Sequence, residues 1–385
     1  MIYFDNAATT IPYGEALRTY QEVATKIYGN PSSLHQLGTN ASRILEASRK
    51  QVAGLLGVKS EEIFFTSGGT ESDNWAIKGI AFEKAAFGKH IIVSAIEHPA
   101  VTESAKWLSS QGFEVTYAPV TARGIVDVEA LAELLRPDTI LVSIMAVNNE
   151  MGAIQPIQAI SKMLANYPTI TFHVDAVQAI GKIPTTTYLT ERVDLASFSG
   201  HKFHAVRGVG FLYKKSGKRL TPLLTGGGQE QEMRSTTENV AGIASMAKAL
   251  RMVTEKETLA LSRLKAMREV IYQALSGYQD VTLFSGQEGF APNIITFGIK
   301  DVRGEVIVHA FETHDIYIST TSACSSKAGK PAGSLVAMGV PVKAAQTAVR
   351  ISLDDDNDMG QVEQFLTIFK QIYDKTQKVL SLIHI

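Results

Sequence analysis

The chain has 385 residues, 45% hydrophobic and 19% charged, with a formal net charge of −1. This length suits one large domain plus a smaller one, and the near-neutral charge excludes a global basic field for nucleic acid or an anionic membrane. No stretch approaches the roughly 20 apolar residues of a membrane helix, and MIYFDNAATT lacks the basic and apolar blocks of a signal peptide, so the expected location is the cytoplasm.

From about residue 60 to 215, short apolar runs alternate with helical patterns. Strands are expected at 63–67, 90–96, 113–120, 139–147, 170–176, 193–199 and 209–214, with helices at 127–136 and 157–167. Near-continuous apolar runs of this length fit strands buried on both faces, and the alternation argues for a mostly parallel α/β sheet. Residues 240–276 read as one long helical stretch. Strands at 293–299 and 316–322 follow, with a helical pattern at HAFETH (309–314) between them, and a last helix spans 358–380. This second part reads as a smaller α+β domain. The small, polar stretch SSKAGKPAGS (325–334) is the most linker-like segment.

Six places combine residues suited to chemistry. Thr66-Ser67-Gly68-Gly69-Thr70-Glu71-Ser72 follows a strand and opens a helix, where small residues let backbone N–H groups approach an anion; a plain glycine turn with a hydroxyl cap reads the same way. Glu97-His98-Pro99 ends another strand. Its histidine could stack on a flat ring and exchange protons, or simply start a helix. Asp175 ends the strand ITFHVDA with Gln178 three residues on. Sheet carboxyl ends are where α/β folds hold ligands, although a helix cap would use the same aspartate. Ser199-Gly200-His201-Lys202 ends a further strand and offers an amine that confinement can activate. His201 and His204 lack a carboxylate or third ligand at metal spacing. Arg350 could clamp a carboxylate through two parallel hydrogen bonds or form a structural ion pair. Cys324 is the only cysteine, which excludes an internal disulfide or a multi-cysteine metal site. It sits among small hydroxyl residues ahead of the glycine-rich loop, an unusual setting for a buried structural cysteine and one suited to a thiolate nucleophile.

Together these segments resemble the NifS/IscS-like cysteine desulfurases, group I, of the class V aminotransferase family. The resemblance runs through FDNAATT (4–10), GNPSSLH (29–35), FTSGGTESDN (65–74), EHPAV (97–101), ILVSIMAVNNEMG (140–152), HVDAVQAIGK (173–182), FSGHKFH (198–204), GGGQEQEMRSTTENV (226–240), STTSACSS (319–326) and VRISL (349–353). It implies the fold type I architecture of pyridoxal-phosphate enzymes. The large domain is expected over 14–255. The small one is expected to combine 1–13 with 256–385 and to carry the cysteine loop 319–334.

The resemblance also implies roles. Lys202 would bind pyridoxal 5'-phosphate covalently, Asp175 would pair with its ring nitrogen, and His98 would stack on the ring. Asn149 and Gln178 would contact the phenolic oxygen. Gly69, Thr70, Ser199 and His201 would bind the phosphate. Thr237, or its neighbour Thr236, would reach the phosphate of a partner subunit in a homodimer. Asn30 and Arg350 would orient the substrate, L-cysteine. Cys324 would take the sulfur as a persulfide and pass it to acceptor proteins, either a tRNA-thiolation sulfurtransferase or an iron–sulfur scaffold. No metal, membrane or direct nucleic-acid contact is expected. Two other readings stay open: a selenocysteine lyase or other class V enzyme, and a catalytically silent protein of this fold that serves as a binding partner. The run Asp354-Asp355-Asp356-Asn357-Asp358 reads as a solvated loop opening the last helix, or as a face for a basic acceptor.

Overall fold

Short runs that are apolar on both faces are satisfied inside a sheet covered by helices on two sides. A computed structural model, which describes residues 1–321 and 333–383, places seven of them in one sheet. After the short strand β1 (Ile2–Tyr3) come β2 (Ile63–Thr66), β3 (His90–Ser94), β4 (Glu114–Ala118), β5 (Thr139–Ser143), β6 (Thr171–Asp175), β7 (Leu195–Ser199) and β8 (Gly210–Lys214). Strands β2 to β8 pair in the order β2-β8-β7-β6-β5-β3-β4. All pairs among β3 to β7 are parallel, and β8 is antiparallel to both of its neighbours. Every residue of β2, β3, β5, β6 and β7 is buried, whereas the edge strand β4 is largely exposed. This is the expected mostly parallel seven-stranded sheet. The strands are shorter than the apolar runs. After Ser143, for example, residues 144–147 stay buried beyond the regular strand, and the Ile144 and Ala146 N–H groups still donate to the His173 (3.1 Å) and Asp175 (2.8 Å) carbonyls of β6.

A second core forms around a four-stranded antiparallel sheet ordered β12-β13-β10-β9, built from β9 (Val281–Leu283), β10 (Ile294–Ile299), β12 (Ser319–Thr320) and β13 (Ala348–Ser352). Strand β11 (Ile316–Tyr317) pairs in parallel with β1. The helices Gly304–Glu312 and Met359–Ile383 cover this core with Phe311, Phe365 and Phe369; the rings of Phe311 and Phe365 stack at 4.8 Å. The helix Val240–Ser276 has 37 residues, roughly 55 Å at 1.5 Å per residue. Its first half gives Met246 and Leu250 to the large core, and its second half gives Leu264, Met267 and Ile271 to the small one. The strand expected over 316–322 is therefore two short pieces. Ser322, Cys324 and most of the loop 319–334 lie outside the described residues.

The N-terminal segment joins the two cores. Phe4 packs in the small core, Asp5 bridges to Ser352 beside β13, and Tyr13 packs in the large core.

Candidate active site

In a parallel sheet the carboxyl ends of neighbouring strands open on one rim, and ligands gather there. Segments following β2, β3, β5, β6 and β7 all line a single cavity of about 610 Å³. Gly69 and Thr70 enter it from the start of the helix Gly69–Glu83, His98 from the start of the helix Pro99–Ser110, and Asn149 from beyond β5. Asp175 and Gln178 follow β6, Ser199, His201 and Lys202 follow β7, and Arg350 reaches in from β13. Thr237 and Asn30 are not among the lining residues. Both are exposed, and the Asn30 side chain accepts the Ser32 N–H at 2.9 Å in a surface turn before the helix Gln36–Leu56. Cys324 lies outside the described residues, but Thr321, three positions earlier, lines the cavity.

Backbone from the N-terminal segment forms one wall. Lys202 Nζ donates to the carbonyls of Ala7 (2.6 Å) and Ala8 (2.9 Å), and Gln178 Nε2 also donates to Ala7 (2.9 Å). His201 Nδ1 lies 3.1 Å from Thr9 Oγ1. Burial, together with the positive Lys202 and Arg207, pulls the His201 ring down to about 4, so it is neutral. Sequence reasoning gave FDNAATT no role in the site, because its contribution is mostly carbonyl oxygens, which carry no side-chain signature.

His98 is both a helix start and a cavity residue. Its Nδ1 accepts the Ala100 N–H at 3.1 Å, with Pro99 in the first turn. Burial, with Lys202 adding to it, lowers its pKa below the ordinary value, against the pull of Asp175. A neutral ring that accepts at Nδ1 carries its proton on Nε2. Asp175 Oδ1 accepts the Val177 N–H at 3.0 Å, and burial raises its carboxyl above the ordinary range despite His98 and Lys202.

Beneath Asp175 lie acids that the sequence did not single out. Asp73 is 1% exposed, with Oδ1 3.7 Å from His173 Nε2 and no hydrogen-bond partner on that oxygen among the described residues. His173 is held by Ser143 Oγ (2.8 Å) and Ser197 Oγ (2.9 Å), and burial drives it down to about 3, so it is neutral. Glu97 Oε1 accepts from Met145 N at 2.8 Å and from Ser94 Oγ, while Oε2 has no partner.

Arg350 Nη1 donates to the Asn149 carbonyl (2.7 Å) and Nη2 to Asp5 Oδ1 (2.9 Å). Its Nε is buried without a partner among the described residues, which leaves that donor of the guanidinium edge for an incoming carboxylate.

A phosphorylated, planar, cationic cofactor fits this donor set. The helix N-terminus at Gly69 supplies backbone N–H groups and a positive dipole end for an anion. A Cβ on Gly69 would come within 2.6 Å of Val177 Cγ2, so only glycine keeps that approach open. Asp175 offers a carboxyl group to a cationic ring and Lys202 offers an amine, whereas burial and the neighbouring Asp175 charge raise the Asp73 carboxyl well above the ordinary range.

Known proteins are similar to this chain in sequence and in fold. The family described as Aminotransferase class-V matches residues 2–365. A protein described as "NifS/IcsS protein homolog" from Lactobacillus delbrueckii subsp. bulgaricus is 53% identical over 98% of this chain and 99% of its own length. A "Cysteine desulfurase IscS" from Dictyoglomus turgidum is 41% identical over 98% of this chain and 96% of its own. Among solved structures, one titled "NIFS-LIKE PROTEIN" superposes with a TM-score of 0.91 at 39% identity, covering 97% of this chain and 99% of that one. Identity at this level over nearly the full length, on a shared architecture, means that the chain belongs to the class-V aminotransferase family and, within it, to the NifS/IscS-like proteins.

Proposed function

We propose that this protein is a pyridoxal-phosphate-dependent cysteine desulfurase that converts L-cysteine to L-alanine and holds the sulfur as a persulfide on Cys324. The observation that carries this reading is the meeting of Lys202, Asp175, His98 and Arg350 in one cavity whose lining includes Thr321, three residues before the only cysteine. The relatives described as cysteine desulfurases support the reaction class, as does a related structure at 30% identity titled "SspA in complex with cysteine".

Gly69, Thr70, Ser199 and His201 would hold the cofactor's phosphate, Asp175 its ring nitrogen, and Asn149 and Gln178 its phenolic oxygen. His98 would lie against the ring and Lys202 would bind covalently. When bound, the cofactor supplies an electron sink for charge developing at the substrate Cα. Arg350 orients the substrate carboxylate. The Lys202 amine, when free, would accept the Cα proton. Neutral His98, with its proton on Nε2, is placed to exchange protons with the reacting groups. The Cys324 thiolate attacks the substrate sulfur: an S–S bond forms as the C–S bond breaks, and that bond's electrons stay on carbon, which is protonated to give alanine.

The finer parts of the reading follow the same chemistry. A persulfide needs a reduced thiol, which suits the cytoplasm, and no helix among the described residues is long and apolar enough to cross a membrane. The exposed Tyr28, Leu34 and Leu37 beside the GNPSSLH segment support a homodimer in which Asn30 and Thr237 serve the partner's site. The acceptor would be a tRNA-thiolation sulfurtransferase or an iron–sulfur scaffold.

The test is one turnover of purified enzyme with L-cysteine, read by intact mass and alanine assay. The expected result is alanine plus a mass gain of one sulfur atom that disappears in Cys324→Ala. Lys202→Ala is expected to lose at least about a thousandfold in turnover, as removal of a covalent catalytic group does. Alanine without any sulfur on the protein would overturn the persulfide step.

A further inference from the structure

His204 follows Lys202 by two residues and is 2% exposed, yet it lies outside the cavity. Its ring is enclosed by acceptors. Nδ1 is 2.8 Å from the Ile11 carbonyl, and Nε2 is 3.2 Å from Asp354 Oδ1 and 3.2 Å from Asp355 Oδ1. Nε2 lies equally close to both carboxylates without an aligned hydrogen bond to either. A neutral imidazole has one N–H and one lone pair, and here the lone pair would face either a carbonyl or two carboxylates. Only the imidazolium satisfies both sides. The other groups fit that charge. Asp354 also takes Lys182 Nζ, Asp355 takes Tyr13 OH (2.7 Å) and Lys256 Nζ (3.3 Å), and the Tyr13 ring stacks on His204 at 4.1 Å. Three cations (His204, Lys182, Lys256) thus stand against three carboxylates once the adjoining Asp356 is included.

The cluster is mechanically tied to the reactive lysine. His204 adopts φ +65°, a left-handed conformation unusual for a residue with a side chain. Its N–H donates to Thr10 Oγ1 (2.8 Å), its carbonyl accepts the Tyr13 N–H (3.0 Å), and Thr10 N and Oγ1 both donate to the His201 carbonyl (2.9 and 3.0 Å). The same N-terminal segment supplies the two carbonyls that hold Lys202 Nζ.

We propose that His204 is a positioning residue for Lys202: its imidazolium, clamped between the Ile11 carbonyl and the Asp354 and Asp355 carboxylates, fixes the turn bearing Lys202 against residues 5–13 and the end of β13. This rests on the desulfurase reading only in taking Lys202 as the reactive lysine. His204, Asp355 and Asp356 also lie close enough together to suggest a cation site. A ring protonated on both nitrogens has no lone pair for a metal, and Lys256 already pairs with Asp355.

The experiment is a pH titration of the holoenzyme labelled with 13C at histidine Cε1, with the His204 resonance assigned by its loss in His204→Gln. The expected resonance stays at the imidazolium position from pH 6 to 9. In Asp355→Asn the ring is expected to titrate inside that window. The visible band of the Lys202-bound cofactor then shifts its pH midpoint by at least about half a unit, and kcat falls about tenfold with KM within about twofold. A role confined to general stability would lower activity only with the folded fraction and leave the band's midpoint in place. A neutral or titrating His204 in the unaltered enzyme overturns the clamp. An Asp355→Asn enzyme with unchanged midpoint and kcat overturns the positioning role. If Asp355→Asn does not fold, Tyr13→Phe is read in the same way: it removes one hydrogen bond from Asp355 and keeps the stacked ring, and a smaller shift in the same direction is expected. Borohydride trapping of the cofactor on a residue other than Lys202 would defeat the functional reading while leaving the histidine titration to decide the clamp.

Discussion

Glu97 is a neutral acid at pH 7. Burial and the neighbouring Asp175 charge push it up to about 8, against the hydrogen bonds from Ser94 and Met145. The unfolded chain loses this proton first, so as pH rises from about 4.5 to 8 the native state gives up stability, by at most about 1.4 kcal/mol per pH unit. Glu97→Gln mimics the neutral acid. It is expected to leave the melting temperature at pH 5 nearly unchanged and to raise it relative to the original protein at pH 8, which thermal melts across that range would check. Arg350→Lys keeps the charge but loses the planar fork that also holds Asn149 and Asp5. KM for L-cysteine is expected to rise about 10- to 100-fold with a smaller change in kcat, measurable by steady-state kinetics. Lys202, His98 and Asp175 were legible in the sequence because each ends or closely follows an apolar run expected as a strand; Arg350 was singled out by its guanidinium, with no strand named around it. Asp73 and Glu97 lie in segments that carry the resemblance but were given no role, because only the fold brings them close to Asp175.

Glycine spacing decides how closely the elements meet. Gly210 in β8 faces both Thr66 in β2 and Ser199 in β7. A Cβ there would come within 2.5 Å of the Phe198 carbonyl and 2.6 Å of Gly68 Cα. Gly210→Ala should therefore push the Gly68–Gly69 turn away from β7 and weaken cofactor affinity by at least about tenfold. Absorbance titration of the apoenzyme with pyridoxal phosphate would measure this, and unchanged affinity would contradict the cradle. The long helix Val240–Ser276 was readable to both ends from its pattern. The strand expected over 139–147 is regular only to Ser143; beyond it the Ile144 and Ala146 N–H groups still donate to β6 carbonyls, while Met145 and Val147 line the cavity. Periodicity does not separate a buried strand from a buried segment that merely continues it. No helix before residue 60 was named from the sequence, yet Gly14–Lys26 and Gln36–Leu56 pack there.

For the molecule as a whole, the acidic run after β13 turns inward. Asp354 is 2% exposed and Asp355 is largely covered, so these two are internal counter-ions and only Asp356 and Asp358 face solvent. Their partners Lys182, His204 and Lys256 are scattered through the sequence, which is why the run read as a solvated loop. His204 is held up to about 10 by the Asp354 and Asp355 charges against the cost of burial, and Asp354 is held down to about 2 by Lys182 and His204 against the same cost. The histidine's stabilising share is complete below its ordinary value of about 6.5 and fades as pH rises toward 10; the aspartate's is present above about 3.8 and fades as pH falls through 2. The melting-temperature gap between the protein and His204→Gln should therefore be widest between about pH 4 and 6.5 and should shrink toward pH 9. A gap that widens with pH would contradict the assignment. The N-terminal wall of the cavity has a consequence for biosynthesis. Asp5 leaves the ribosome 345 residues ahead of Arg350, on the order of 20–70 s earlier at roughly 5–20 residues per second. Residues 7–13 can meet His201, Lys202 and His204 once the middle of the chain is made, but Asp5 must wait for nearly the last-made strand, so the nascent chain can shape its large sheet long before it owns a finished pocket.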